Sequence, residues 1–133
     1  TVIKGKPSDI LKDMFQVVLQ GQKIGVQLVK AGRNSKTIHN SIKDFFDDSG
    51  FHTDFNKNNP DGFIHSTGHG LGLDIHEPPR VSSLSEVLKS NNVITIEPGL
   101  YYPKIGGIRI EDTVVVTEKG CRNLTSFPKI FEI

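Results

Sequence analysis

The stretch GGIRIEDTVVVTEKG, residues 106–120, carries two patterns in succession. Through Ile108-Arg109-Ile110-Glu111 apolar and charged residues alternate, the period of a strand whose side chains point to opposite faces. Ile108 and Ile110 take one face; Arg109 and Glu111 take the other. Thr113-Val114-Val115-Val116 then reads as a solid apolar run, the mark of a central strand covered on both sides. A charged pair leading into a buried strand needs a partner, because an unpaired buried charge is costly. Glu118-Lys119-Gly120 closes the segment as a turn, so the extended run lies within Ile105 to Thr117.

Upstream, Val93-Ile94-Thr95-Ile96 is a second, shorter β-rich run. Its two-residue repeat puts Val93, Thr95 and Glu97 on one face. Pro98 holds Glu97 extended, and Gly99 is expected to let the chain turn. Further upstream, HSTGHGLGLDIHEPPR (65–80) holds His65, His69 and His76; the other two histidines are His39 and His52. Glycines at 68, 70 and 72 argue against a regular helix, so His65 and His69 are not a helical metal pair despite their spacing. The glycines are expected to let backbone approach a ligand or metal closely. A surface turn accounts for one such histidine, but three so close together ask for chemistry.

Before residue 50 the period is helical. Leu11, Met14, Phe15, Val18, Gly25, Leu28 and Val29 follow the i, i+3, i+4 rule along one face. Ser8 or Asp9, after Pro7, is positioned to cap the first turn, and Gly32 to stop the helix in a left-handed conformation. A second helix should start at Ser35 or Thr37, carry Ile38, Ile42, Phe45 and Phe46 as its stripe, and end at Gly50. Residues 52–63 are polar, with Asn58-Asn59-Pro60-Asp61-Gly62 as a turn. A helical hairpin followed by antiparallel strands implies an α+β fold with the helices on one sheet face.

The chain has 133 residues, which predicts one domain over 1–133. Sixteen Lys+Arg against 15 Asp+Glu leave a net charge of +1. That balance offers no electrostatic reason for a nucleic-acid or membrane partner. No apolar run is long enough to span a bilayer, and no secretion leader opens the sequence. The lone Cys121 forms no internal disulfide, in keeping with a cytoplasmic location. Position 1 is Thr, and Thr1-Val2-Ile3 reads like a strand end, so a piece of something longer is expected.

His69, Glu97 and Glu111 together offer one imidazole and two carboxylates. Mixed N/O sets suit Zn, Mn, Fe or Co, and bridging carboxylates suit a two-metal site. Two divalent ions carry more positive charge than two glutamates balance, so further anionic ligands are required. None of the aspartates before residue 65 has a ligand context: Asp9, Asp13, Asp44, Asp47 and Asp48 fall on predicted helices, Asp54 and Asp61 in a loop.

HSTGHGLGLDIHEPPR (65–80), ITIEPGLY (94–101) and GGIRIEDTVVVTEKG (106–120), in this order and spacing, resemble the pita-bread metallopeptidases of the Xaa-Pro branch, the Xaa-Pro aminopeptidases and Xaa-Pro dipeptidases (prolidases). The resemblance implies a pita-bread, creatinase/aminopeptidase-like α+β fold that lacks its N-terminal side. This chain would be the C-terminal portion of the catalytic domain. It further implies His69 as the histidine metal ligand, Glu97 as a metal ligand and proton shuttle, and Glu111 as the ligand bridging two divalent ions. His65 and His76 match the histidines lining the substrate site, Arg109 the arginine that orients it, and Tyr101 a nearby tyrosine. The family's two remaining ligands are aspartates upstream of the first helix, so 1–133 would supply three ligands of five and be inactive alone. The complete protein would cleave the bond before proline in Xaa-Pro peptides and form a homodimer. Methionine aminopeptidase is the alternative within the fold, although its last ligand motif reads differently from GGIRIED. A peptide-binding pseudo-peptidase is the alternative outside catalysis, although such proteins tend to lose ligands that are present here.

Overall fold

A computed structural model describes all residues 1–133. Two helices form first, α1 (Asp9–Leu28) and α2 (Ser35–Asp48). Met14, Phe15, Val18, Gly21, Gln22 and Gly25 make the buried face of α1; Ser35, Ile38, Ile42 and Phe46 make that of α2. Gly21 and Gly25, one turn apart, let the helices close up. A Cβ on Gly21 would stand 2.5 Å from the Phe46 ring, and one on Gly25 would stand 2.9 Å from Ile42 Cδ1 and 2.8 Å from Ile96 Cγ2.

Both helix ends differ from expectation in one detail each. Ser8 is the N-cap of α1, but its side chain makes no capping hydrogen bond. The helix stops at Leu28, four residues ahead of Gly32, because Val29 turns extended to enter the core. Gly32, at φ +77°, belongs to the connecting turn instead. The second helix is capped by Asn34, whose side chain accepts from the Lys36 N–H at 2.9 Å. It ends at a left-handed Gly50, as read from sequence.

The helices cover a five-stranded antiparallel sheet of order β2-β1-β3-β6-β7, with β1 Gly68–Gly70, β2 Glu77–Val81, β3 Val93–Ile96, β6 Asp112–Val116 and β7 Cys121–Asn123. A two-stranded ribbon, β4 (Gly99–Tyr102) with β5 (Gly106–Arg109), completes it. Seventeen buried apolar residues form one core, from Met14 and Phe46 on the helices to Ile94, Ile96, Ile108, Val114 and Val116 on the sheet.

Sheet and ribbon are one bent hairpin. Ile96 faces Asp112 before the break and Gly99 faces Arg109 after it, three residues further along each strand, so the register never slips. Gly99 therefore does not turn the chain; it opens β4. A Cβ there would lie 2.9 Å from the Ile108 carbonyl oxygen. The ladder breaks where Pro98 has no N–H to give and Glu97 sends its own to the Thr67 carbonyl at 2.7 Å. At this bend Glu97 and Glu111 stand level on adjacent chains.

Candidate metallopeptidase site

His69 lies in the middle of β1, a strand where a loop was expected. The surrounding glycines serve the protein's own backbone. A Cβ on Gly68 would fall 1.9 Å from the Thr95 carbonyl oxygen, and one on Gly70 would fall 2.4 Å from that of Pro78. With β2 and β3 pressed against it from both sides, β1 tolerates no side chain at these two positions, and close approach to a ligand is not what they provide.

From β1 the His69 ring reaches Glu97 at the bend: Nε2 stands 3.1 Å from Glu97 Oε1, with both side chains mostly buried. The other ring nitrogen, Nδ1, is 3.0 Å from the Gly70 carbonyl oxygen. A carbonyl only accepts, so Nδ1 carries a proton and Nε2 is directed at the carboxylate. This is the orientation that histidine ligands of metals adopt, with the second nitrogen donating to a backbone carbonyl. A lone pair on Nε2 facing a carboxylate oxygen requires a positive centre between them, a proton or a metal cation. The donor set thus fits a share of a divalent site.

Arg109 supplies charge from the other side, its Nε 3.6 Å from Glu97 Oε2. Burial pulls the Arg109 pKa down, but Tyr101, Glu97 and Glu111 around it outweigh this and hold it above its ordinary value. Two level carboxylates on neighbouring strands would repel, and Arg109 offsets that repulsion. The expectation of a buried Arg–Glu face gives way here: the Arg109 side chain is 51% exposed and Glu111 is exposed, because both lie on the face opposite Ile108 and Ile110, which enter the core.

The histidines flank this pair. His76, at the end of the exposed 71–76 loop, crosses the His69 ring edge to face with centroids 4.2 Å apart. His65 packs edge-on against Phe63 and Tyr101, centroids 5.4 and 5.3 Å away. Its Nδ1 donates to the Ser66 carbonyl at 2.7 Å, while its Nε2 is buried without a hydrogen-bond partner. Burial lowers the His65 pKa, which favours the neutral ring. No one cavity gathers all these groups; two neighbouring ones, of about 480 and 580 Å³, share them. His65, His69, His76, Glu97 and Arg109 line a polar cleft. Glu111 lines the adjoining hollow, together with Tyr101 and, again, Arg109. No three imidazole, thiol or carboxylate groups converge tightly enough to make a metal cage by themselves.

Sequence reasoning missed the supports. Thr95 and Thr67, both buried, hold the site from beneath, and His39 on α2 meets the Thr67 hydroxyl through Nδ1 at 3.0 Å. The alternation that placed Thr95 on the face of Glu97 was the available signal. His39 and Thr67 carried none.

The profile described as metallopeptidase family M24 matches residues 1–118. An Xaa-Pro dipeptidase of Pyrococcus furiosus is 44% identical over 126 residues, which cover 94% of this chain and 34% of that protein. The solved Xaa-Pro dipeptidase from Bacillus anthracis superposes with a TM-score of 0.89 at 38% identity, over 99% of this chain and 36% of that one. The X-Pro aminopeptidase from Thermotoga maritima gives 0.88 at 36% identity, over the same shares. The chain thus spans about a third of the length of these relatives. The two helices on a mainly antiparallel sheet are the corresponding part of the pita-bread fold. The chain belongs to metallopeptidase family M24.

Proposed function

We propose that the native protein containing this chain hydrolyses the peptide bond preceding proline, with residues 1–133 forming a single unit, the C-terminal portion of its catalytic domain. The observation that carries the proposal is the meeting of His69, Arg109 and Glu97 at a bend where Glu111 stands level with Glu97. His69, Glu97 and Glu111 would hold divalent metal, with Mn, Co, Zn and Fe all suited to such donors, and the remaining anionic ligands come from outside these residues. When bound, the metal pair supplies an acidified water and a polarised carbonyl.

The protein's own residues do the rest. Glu97 takes the proton of the attacking water and returns it to the leaving nitrogen, the work of a general base turned general acid. His76, exposed and beside His69, donates a hydrogen bond to the oxygen on which negative charge develops. His65 borders the substrate cleft. Arg109 fixes the Glu97 carboxylate and, with Tyr101, walls the adjoining hollow.

The test compares an Xaa-Pro dipeptide with a Met-Ala peptide, with and without a chelator. Preferential, chelator-sensitive cleavage of Xaa-Pro that disappears in Glu97→Gln is the expected result. Preference for Met-Ala would assign a methionine aminopeptidase, and metal-free protein without cleavage of either would assign a binding protein.

A further inference from the structure

A histidine and a glutamate from different strands keep a fixed geometry only if something holds both. Thr95 sits two residues before Glu97 on the same strand and face, and is 3% exposed. Its Oγ1 accepts from the His69 backbone N–H at 3.0 Å and donates to Glu97 Oε1 at 3.1 Å. A hydroxyl has one proton to give and lone pairs to receive, so one side chain satisfies both neighbours. The circuit closes through His69 Nε2 and Glu97 Oε1, 3.1 Å apart. The backbone leaves little slack around it. Gly68 lies against the Thr95 carbonyl, and the Glu97 N–H is committed to Thr67.

We propose that Thr95 is a positioning residue of this site, setting the Glu97 carboxylate and the His69 main chain relative to each other before any cation binds. The proposal rests on the metal-site reading above. It accounts for a polar residue at a buried strand position between Ile94 and Ile96. Valine keeps the branched shape and loses both hydrogen bonds; serine keeps both and loses one methyl.

The experiment uses the native protein and its Thr95→Val, Thr95→Ser and Thr95→Ala variants. Titration calorimetry with Mn²⁺, Co²⁺ and Zn²⁺ alone measures metal affinity, hydrogen exchange of the His69 amide measures the tie without metal, and circular dichroism checks the fold. Thr95→Val is expected to weaken metal binding about 10- to 100-fold, the usual cost of losing a group that orients a ligand. Its His69 amide should exchange faster than in wild type, while Thr95→Ser stays close to wild type on both counts. Should the valine variant not fold, the alanine and serine variants make the same comparison. Wild-type affinity in a folded Thr95→Val or Thr95→Ala protein overturns the role of Thr95 alone. Equal losses in the serine and valine variants also overturn it, since packing of the methyl would then be the cause. A wild-type protein that takes up none of the three cations overturns the metal-site reading, and this proposal with it.

Discussion

At Glu97 three demands meet: an extended backbone before Pro98, a carboxylate against His69, and a counter-charge from Arg109. Glu97 and Arg109 were legible beforehand, because strand alternation and the X-Pro rule act locally; His69 stood out only through its cluster of histidines and the family resemblance. The supports were not, since a hydrogen bond from residue 69 to residue 95 has no signature in either segment. His76 gives the sharpest prediction at this scale. His76→Ala should lower turnover roughly 10²- to 10³-fold, as expected for one donor to a developing oxyanion. Metal affinity, measured separately by calorimetry, should stay near wild type. An equal fall in both would make His76 a ligand instead. The half-buried imidazoles yield a second prediction. Burial, aided by mutual repulsion and Lys43, lowers the His39 pKa; burial likewise lowers that of His65. Below their ordinary value of 6.5 the unfolded chain binds more protons than the folded one. Stability is therefore complete above about pH 6.5 and declines as the pH falls beneath it. Urea unfolding at pH 7 and pH 5 should show this decline, and His39→Gln should flatten it.

At the scale of elements, the helical hairpin announced itself through a 3.6-residue period that tolerates glycines at 21 and 25. The strand β1 did not, because three residues with two glycines have neither length nor β-propensity; its neighbours impose its conformation. The two kinds of glycine predict different outcomes. Gly21→Val meets the Phe46 side chain at 2.5 Å, a ring that shifts only at the expense of core packing. Overpacking of this kind typically costs about 1–3 kcal/mol, and thermal melting should report a loss in that range. Gly68→Ala meets main chain at 1.9 Å, where no rotamer change relieves the clash. It should force β1 off β3, carry His69 with it, and lose metal affinity beyond what its melting temperature predicts. Equal stability and affinity in Gly68→Ala and wild type would show that β1 is looser than the structure draws it.

Across the whole molecule, one side chain fastens α1 to the C-terminal segment. Asp112, buried at the start of β6, accepts from Gln22 Nε2 of α1 at 2.7 Å, from Lys129 Nζ at 2.6 Å and from the Thr125 hydroxyl. Burial alone would raise its pKa, but Lys129, Thr125 and Asn123 together hold it below the ordinary value. Its contribution is present above the usual aspartate range and is lost as the pH falls through its lowered folded value. Asp112→Asn should accordingly cost roughly 1.5–3 kcal/mol near neutral pH, the scale of hydrogen bonds to a charged group, and far less in strong acid. Composition told nothing of this knot, because its members are scattered from residue 22 to residue 129. No helix is long and apolar enough to cross a membrane. That His69, Glu97 and Glu111 hold divalent metal, together with ligands from outside these residues, is the claim on which the proposed function depends. Crystals of the native protein grown with Mn²⁺, with anomalous diffraction collected at the manganese edge, test it most directly. The expected map has anomalous peaks contacted by His69 Nε2 and by the carboxylates of Glu97 and Glu111. Peaks elsewhere, or a fully ordered His69–Glu97 pair with no peak beside it, would contradict it.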